Sequence, residues 1–162
     1  MKKLILLLAG VVLAMALVGC SQKESKASWT EGHGQDILNS GAFSEELEEL
    51  DLDTAFMLYK LEDAGLSREN LTGGLCRRSA GATCEELAVL IFGDEKAAEA
   101  AVQSLQTYLE GQIASNTDYR PAEIPKLEGA WVEQRGNTVL MVVATMAGPM
   151  TAVGSTLPYW LR

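Results

Sequence analysis

The sequence has few of the residues that usually build metal centres and acid–base sites. It contains three cysteines and one histidine, His33, which lies between two glycines. A structural zinc site needs several Cys or His ligands at short spacings, and a nucleophile needs a base held rigidly within hydrogen-bond reach. We interpret His33 as a solvated residue of a flexible segment. The sequence therefore predicts no catalytic residue, no metal site and no cofactor.

Positive charge is also scarce. The chain has 13 Lys and Arg residues against 22 Asp and Glu residues, which gives a formal net charge of −9. Nucleic-acid binding needs clustered Lys and Arg against the phosphates, so this composition argues against a nucleic-acid partner. The densest acidic stretch, at 45–53, alternates with leucines, whereas a calcium loop surrounds a glycine turn with oxygen ligands. We interpret this stretch as a solvated helix face.

A long apolar run at 4–17 follows Lys2 and Lys3. It is shorter than the roughly 20 residues that span a bilayer, and its charge and length are typical of a secretory signal; a retained membrane anchor is the alternative. Residues 17–20, Leu-Val-Gly-Cys, resemble the lipobox of bacterial lipoprotein precursors. That resemblance implies that residues 1–19 are removed as a signal peptide and that Cys20 becomes the lipidated N-terminus.

A diacylglyceryl group on Cys20 predicts a protein anchored in the cell membrane on its extracytoplasmic face, since two or more acyl chains hold stably. Residues 20–41 are rich in Ser, Lys, Gln and Gly and lack apolar periodicity, which predicts a flexible tether. Residues 42–148 have the length of a single domain. Residues 149–162 form a C-terminal tail.

Apolar periodicity within 42–148 predicts two hairpins and two helical regions. In chain order these are one or two helices at 44–60 with Ser44 as N-cap, a strand at 71–78, an apolar central strand at 86–92, an amphipathic helix from the Asp94 cap to Asn116, and strands at 130–135 and 138–146 around a Gly136-Asn137 turn. The order predicts an α+β fold: a mostly antiparallel four-stranded sheet with helices packed on one face.

Three segments carry a resemblance to a known family: FSEELEELDLDTAFMLYKLE, AGATCEELAVLIFGDEKAAEAAVQSLQTYLE and YRPAEIPKLEGAWVEQRGNTVLMVVA. They resemble the uncharacterised lipoprotein family called domain of unknown function 4358. The resemblance covers residues 42–146 and includes a Glu-Glu-Leu-Ala entry to a strand and a Pro-x-x-x-Pro-Lys-Leu segment before a hairpin. It implies an extracytoplasmic bacterial lipoprotein and carries over no catalytic residue.

Cys76 and Cys84 flank the segment RRSAGAT. On facing strands of a hairpin their spacing suits a structural disulfide in an oxidising compartment; two free thiols are the alternative. A redox role is a third interpretation, because Arg77 and Arg78 would lower the pKa of Cys76. The same two arginines form a candidate anion-binding patch.

The sequence therefore predicts a membrane-anchored, non-enzymatic binding or interaction module with a protein or small-molecule partner. The alternative is a cell-envelope enzyme or thiol-redox protein that acts through Cys76 and Cys84. Trp131 and Trp160 are candidates for stacking on a sugar, with core packing or a loose tail as the other interpretation.

Overall fold

A five-stranded antiparallel sheet organises the structure, a computed structural model that describes residues 27–145. The order across the sheet is β1-β2-β3-β5-β4. The strands are β1 (Glu48–Leu50), β2 (Leu71–Arg78), β3 (Glu86–Phe92), β4 (Trp131–Arg135) and β5 (Thr138–Val143). The predicted signal peptide, Cys20 and the C-terminal tail lie outside the described residues.

Four α-helices accompany the sheet within residues 27–145. They are α1 (Glu31–Leu38), α2 (Leu52–Leu58), α3 (Glu95–Asn116) and α4 (Ile124–Glu128). Short 3-10 turns lie at Leu61–Ala64, Arg68–Asn70 and Pro121–Glu123. The fold is therefore α+β, as the order of sequence elements predicts.

The sheet has a buried cluster on each face, because successive side chains of a strand point to opposite sides. Ala88, Leu90 and Phe92 of β3 join one cluster with residues of α2, α3 and α4. Leu87 and Val89 join the other with residues of α1 and its flanking segments. β3 and β5 are central strands, and their apolar character on both faces follows from this position.

The elements with strong periodicity are where the sequence predicts them. β2 and β3 have the predicted bounds. α3 buries its apolar stripe, and the Asp94 side chain caps it by accepting a hydrogen bond of 2.8 Å from the Ala97 amide. The β4–β5 hairpin turns at Gly136, whose φ of 56° lies in the left-handed region that favours glycine.

The predicted helix at 44–60 is wrong in its first half. Residues 48–50 instead form β1, which pairs with β2 and places Glu48 opposite Arg78. This is the fifth strand, so the four-stranded prediction is also wrong. The helix starts only at Leu52, capped by Asp51, and Ser44 is not an N-cap. Pairing with an arginine-bearing strand outweighs the helical propensity of the glutamates here.

The predicted flexible tether is wrong from Trp29 onward. Trp29 and Ile37 are 1% and 2% exposed and belong to the second cluster. The Trp29 amide donates to Thr138 Oγ1 at 2.8 Å, and its indole donates to the Glu133 carbonyl at 3.0 Å. These residues bring α1 onto the second face of the sheet, so the prediction of helices on one face alone is corrected as well.

His33 is a structural residue of α1 and not a solvated tether residue. Its Nδ1 accepts a hydrogen bond of 3.1 Å from the Thr30 amide, and its ring packs edge-on against Trp29 at 5.8 Å. At the next residue, α1 approaches the sheet so closely that a Cβ at Gly34 would lie 3.0 Å from a Val89 methyl. The glycine allows the close approach.

Trp29→Ala should lower the free energy of unfolding by about 3–5 kcal/mol, as expected for deleting a fully buried aromatic side chain. Chemical unfolding of the intact chain measures this loss. Tyr119→Ala is the matched control, because Tyr119 is 87% exposed and its removal should change stability by less than about 0.5 kcal/mol. Equal, small effects would mean that the segment is a tether after all.

Candidate functional site

Two consecutive glutamates are buried where β3 begins. Glu85 is 0% exposed and Glu86 is 3% exposed. Burial of an ionised carboxylate is costly unless hydrogen-bond donors or cations surround it. The surroundings of these two side chains therefore identify the polar centre of the molecule.

Glu86 accepts hydrogen bonds from two tyrosines. The Tyr59 hydroxyl donates to Oε1 and the Tyr108 hydroxyl donates to Oε2, each at 2.7 Å, and the two rings pack edge-on at 5.1 Å. Arg78 Nε lies 3.8 Å from Oε2. We call Glu86, Tyr59 and Tyr108 the tyrosine clamp. It connects β3 to the end of α2 and to the middle of α3.

Burial dominates the electrostatics of the clamp. It raises the pKa of Glu86, although the two tyrosine hydrogen bonds and Arg78 oppose the shift. Burial and the Glu86 charge raise the pKa of Tyr59 and Tyr108 well above the ordinary tyrosine value. Both hydroxyls therefore stay protonated at neutral pH and act as donors.

Glu85 has a different set of donors. Its carboxylate accepts hydrogen bonds from the Ser44 amide at 2.8 Å, the Ser44 hydroxyl at 2.9 Å and the Thr145 hydroxyl. Lys126 Nζ lies 3.3 Å from Glu85 and 3.0 Å from Glu123. Burial alone would raise the pKa of Glu85, but these hydrogen bonds and Lys126 outweigh it and lower the pKa.

The pKa of Glu85 is thus lowered and the pKa of Glu86 is raised. A pair of carboxyls whose pKa values are shifted apart also marks acid–base pairs in enzymes. Here both oxygens of Glu86 are occupied by tyrosine hydroxyls and the side chain is almost inaccessible. A general acid or base must reach the reacting atoms. The geometry therefore favours a structural role for this pair.

An open groove lies beside the tyrosine clamp, between α3 and the 3-10 turn at Leu61–Ala64. Its volume is about 450 Å³, within the range of small-molecule sites. Most of the lining residues on α3 have small or polar side chains, and Leu58 and Ala64 add apolar surface. The lining residues are Leu58, Tyr59, Lys60, Asp63, Ala64, Gln103, Ser104, Thr107, Tyr108, Gly111, Gln112 and Ser115.

The rim of the groove contains a backbone outlier. Lys60 has φ 52° and ψ 44°, and among residues 27–145 it is the non-glycine residue with positive φ. It follows the last turn of α2, where glycine is the usual residue. Its carbonyl accepts a hydrogen bond of 3.4 Å from Ser104, which connects the turn to α3. Such conformations persist where the surrounding structure fixes them, often at ligand sites.

The predicted disulfide is not supported, because the structure has Cys76 and Cys84 as free thiols. The hairpin register places Cys76 opposite Ala88 and not opposite Cys84. Burial, together with the Glu86 charge, raises the pKa of Cys76 to about 12, so its thiol stays protonated at neutral pH. Arg77 opposes this rise in the pKa but does not outweigh it, and the structure gives no support to a reactive Cys76.

Arg77 and Arg78 do not form one anion-binding patch. They are neighbours on β2, so their side chains point to opposite faces. Arg77 lies 3.2 Å from Glu49, and Arg78 lies beside Glu86 in the tyrosine clamp. Each arginine therefore neutralises a carboxylate of the fold.

Other sequence candidates have structural partners too. Glu45, from the acidic stretch, accepts hydrogen bonds of 2.6 Å from the Ser79 and Thr83 hydroxyls. Trp131 packs edge-on against Trp29 at 5.8 Å, which agrees with core packing. Trp160 lies outside the described residues.

Within residues 27–145 no group of three or more His, Cys, Asp or Glu side chains is placed to hold a metal ion. In the same part of the chain, none of the helices has the length and apolar character needed to cross a membrane.

Sequence reasoning missed the tyrosine clamp and the groove. Glu86 occupies a position of β3 whose alternate neighbours, Ala88 and Leu90, are fully buried. A charged residue in phase with core positions is the signal that would have identified it. Nothing in the sequence indicates its partners, because Tyr59 and Tyr108 lie 27 and 22 residues away.

Comparison with known families identifies the class of this protein. Residues 44–144 match the family described as Domain of unknown function (DUF4358). The match spans more than half of the chain and confirms the resemblance noted in the sequence. The protein belongs to this family. A search of curated proteins and a search of solved structures found no match.

Replacing each glutamate with glutamine should change stability in opposite ways as the pH rises. Because the pKa of Glu86 is raised in the fold, wild type loses stability as pH rises from the ordinary carboxyl pKa through the raised value. The free energy of unfolding of Glu86→Gln should therefore rise relative to that of wild type over this pH range. The lowered pKa of Glu85 stabilises the fold at neutral pH, and that contribution is lost as pH falls through the lowered value. Glu85→Gln should therefore be less stable at pH 7, by about 1.5–3 kcal/mol, and approach wild type in acid.

Urea unfolding of both variants across the acid-to-neutral range measures these differences. Glu110→Gln on the exposed surface of α3 is the control and should change the free energy of unfolding by less than about 0.5 kcal/mol. The same pH trend in the Glu85 and Glu86 variants would contradict the assignment.

Proposed function

We propose that this protein is a non-enzymatic binding module that a lipid on Cys20 anchors in the membrane on its extracytoplasmic face. Its ligand binds in the groove between α3 and the turn at Leu61–Ala64. The single observation that carries the proposal is the groove itself: an open volume of about 450 Å³, beside the tyrosine clamp, lined by both polar and apolar side chains.

The floor of the groove is fixed before any ligand arrives. The Tyr59 and Tyr108 hydroxyls donate hydrogen bonds to Glu86. The Ser104 hydroxyl donates to the Lys60 carbonyl, which connects α3 to the turn on the other side of the groove. A preformed site loses little conformational entropy when a ligand binds. The preformed groove therefore favours the binding of a ligand.

The lining supports binding better than catalysis. Its titratable side chains are Lys60, Asp63 and the two clamp tyrosines, and the tyrosine hydroxyls are held protonated on Glu86. A catalytic site pairs a nucleophile or acid with a base in direct contact. The groove lining contains no such pair.

The anchor part of the proposal is supported by the signal-like residues 1–19 and the Leu-Val-Gly-Cys motif. Trp29 belongs to the folded core and lies nine positions after Cys20. Nine residues span at most about 30 Å when fully extended. The proposed lipid would thus hold the domain near the membrane surface and not at the end of a long tether.

Cys20→Ser should leave the precursor without lipid and with residues 1–19 still attached, because a hydroxyl cannot replace the thiol as lipid acceptor. Mass spectrometry of the N-terminus measures the change. Cys84→Ser is the matched control and should remain lipidated. A wild-type chain without lipid on Cys20 would refute the anchor.

Gly111→Phe should block ligand binding without unfolding the protein. A Cβ at Gly111 would meet no atom within 4 Å, so the fold accepts a side chain that then fills the groove. The measurement is NMR of the isotope-labelled wild type and of the variant, each mixed with low-molecular-weight solutes from the cell envelope. Wild type should show chemical-shift changes at the α3 residues of the groove, and Gly111→Phe should not.

Ala114→Phe is the matched control, since Ala114 is exposed on α3 and is not part of the groove lining. It should bind as wild type does. Shifts that survive Gly111→Phe, or shifts confined to surfaces away from α3, would contradict the proposed site.

A further inference from the structure

The groove has no net charge of its own. It contains one lysine, Lys60, and one aspartate, Asp63, on the same turn, in a chain whose formal charge is −9. Neither side chain has an ion-pair partner among the residues that the structure describes. An anionic ligand would meet the unfavourable field of the acidic chain. A cationic ligand would find a single carboxylate, Asp63, on the same turn as the positively charged Lys60, so the site favours a ligand without net charge.

The walls of the groove offer mixed hydrogen-bonding groups. Gln103 and Gln112 each carry an amide NH₂ group that donates and a carbonyl oxygen that accepts, and the Ser115 hydroxyl can do both. The Thr107 hydroxyl donates to the Gln103 backbone carbonyl at 3.1 Å and offers its oxygen as an acceptor. Lys60 adds a donor and Asp63 an acceptor. A ligand that carries many hydroxyls matches this set, because every hydroxyl also donates and accepts.

The floor has the opposite character. Tyr108 uses its hydroxyl on Glu86 at 2.7 Å, so its contribution to the floor is mainly carbon surface. Leu58 and Ala64 are the other apolar lining residues, and both are partly buried. A ligand that fits this site has an apolar face and a polar edge.

The groove runs along α3. Its α3 residues run from Gln103 to Ser115, which is roughly 18 Å of helix at 1.5 Å per residue. Gly111 keeps the middle open because it has no side chain. The shape suits a linear oligomer better than a single ring.

From these features we infer that the ligand of the groove is a neutral oligosaccharide. Pyranose rings combine an apolar C–H face with hydroxyls at the edge, and they link into narrow chains without charge. The inference rests on the proposed function, since it names the ligand class of the same groove.

Binding of neutral oligosaccharides to the intact chain tests the inference. The probes are cellotetraose and chitotetraose, and the zwitterionic peptide tetra-alanine is measured in parallel by NMR titration at millimolar concentration. We expect at least one oligosaccharide to bind, with an affinity that is unchanged between low and high salt, because no charge on the ligand is screened.

Gln112→Ala should weaken that binding about fivefold, the loss expected for one neutral hydrogen bond. Glu110→Ala is the control on an exposed part of α3 outside the groove and should change the affinity by less than about twofold. Equal affinities for wild type and Gln112→Ala would overturn the inference, as would binding that falls steeply with salt.

The probes also separate this inference from the proposed function. If tetra-alanine or envelope solutes bind at the groove and neither oligosaccharide does, the saccharide inference is wrong and the binding module stands. If no probe and no envelope solute shifts the α3 residues, both are wrong.

Discussion

Two carboxylates enter the core side by side where β3 begins, and each needs donors from the protein because water is almost excluded. Glu86 receives two tyrosine hydroxyls and Glu85 receives Ser44, Thr145 and Lys126. An unsatisfied buried carboxylate would cost several kcal/mol. This requirement fixes where the end of α2, the middle of α3 and the segment around Ser44 lie relative to the sheet.

The groove is a consequence of that constraint. Tyr59 is the last residue before Lys60 turns into the left-handed region, and Tyr108 lies on the α3 face that lines the groove. With both hydroxyls held on Glu86, the two walls keep their separation and small residues on α3 leave the space between them open. The proposed binding therefore depends on the two hydrogen bonds to Glu86, which hold in place the tyrosine side chains that line the groove.

Residues with strong apolar periodicity made much of the fold predictable. β3 and α3 repeat apolar residues over whole elements, so their bounds and burial follow from the sequence. α1 was missed because its large apolar contacts with the second cluster are Trp29, Ile37 and the partly buried Leu38, which are too few for a periodic signal. β1 was missed because its pairing with β2 is a tertiary effect. The tyrosine clamp was out of reach because its partners are distant in sequence and meet only in the folded chain.

The central claim is that the pKa values of the adjacent Glu85 and Glu86 are shifted in opposite directions because the hydrogen-bond donors around them differ. Carbon-detected NMR titration of the two side-chain carboxyl carbons in the intact chain tests it most directly. The account predicts a pKa above the ordinary glutamate value for Glu86 and below it for Glu85. Ordinary values for both residues, or the reverse order, would contradict the account.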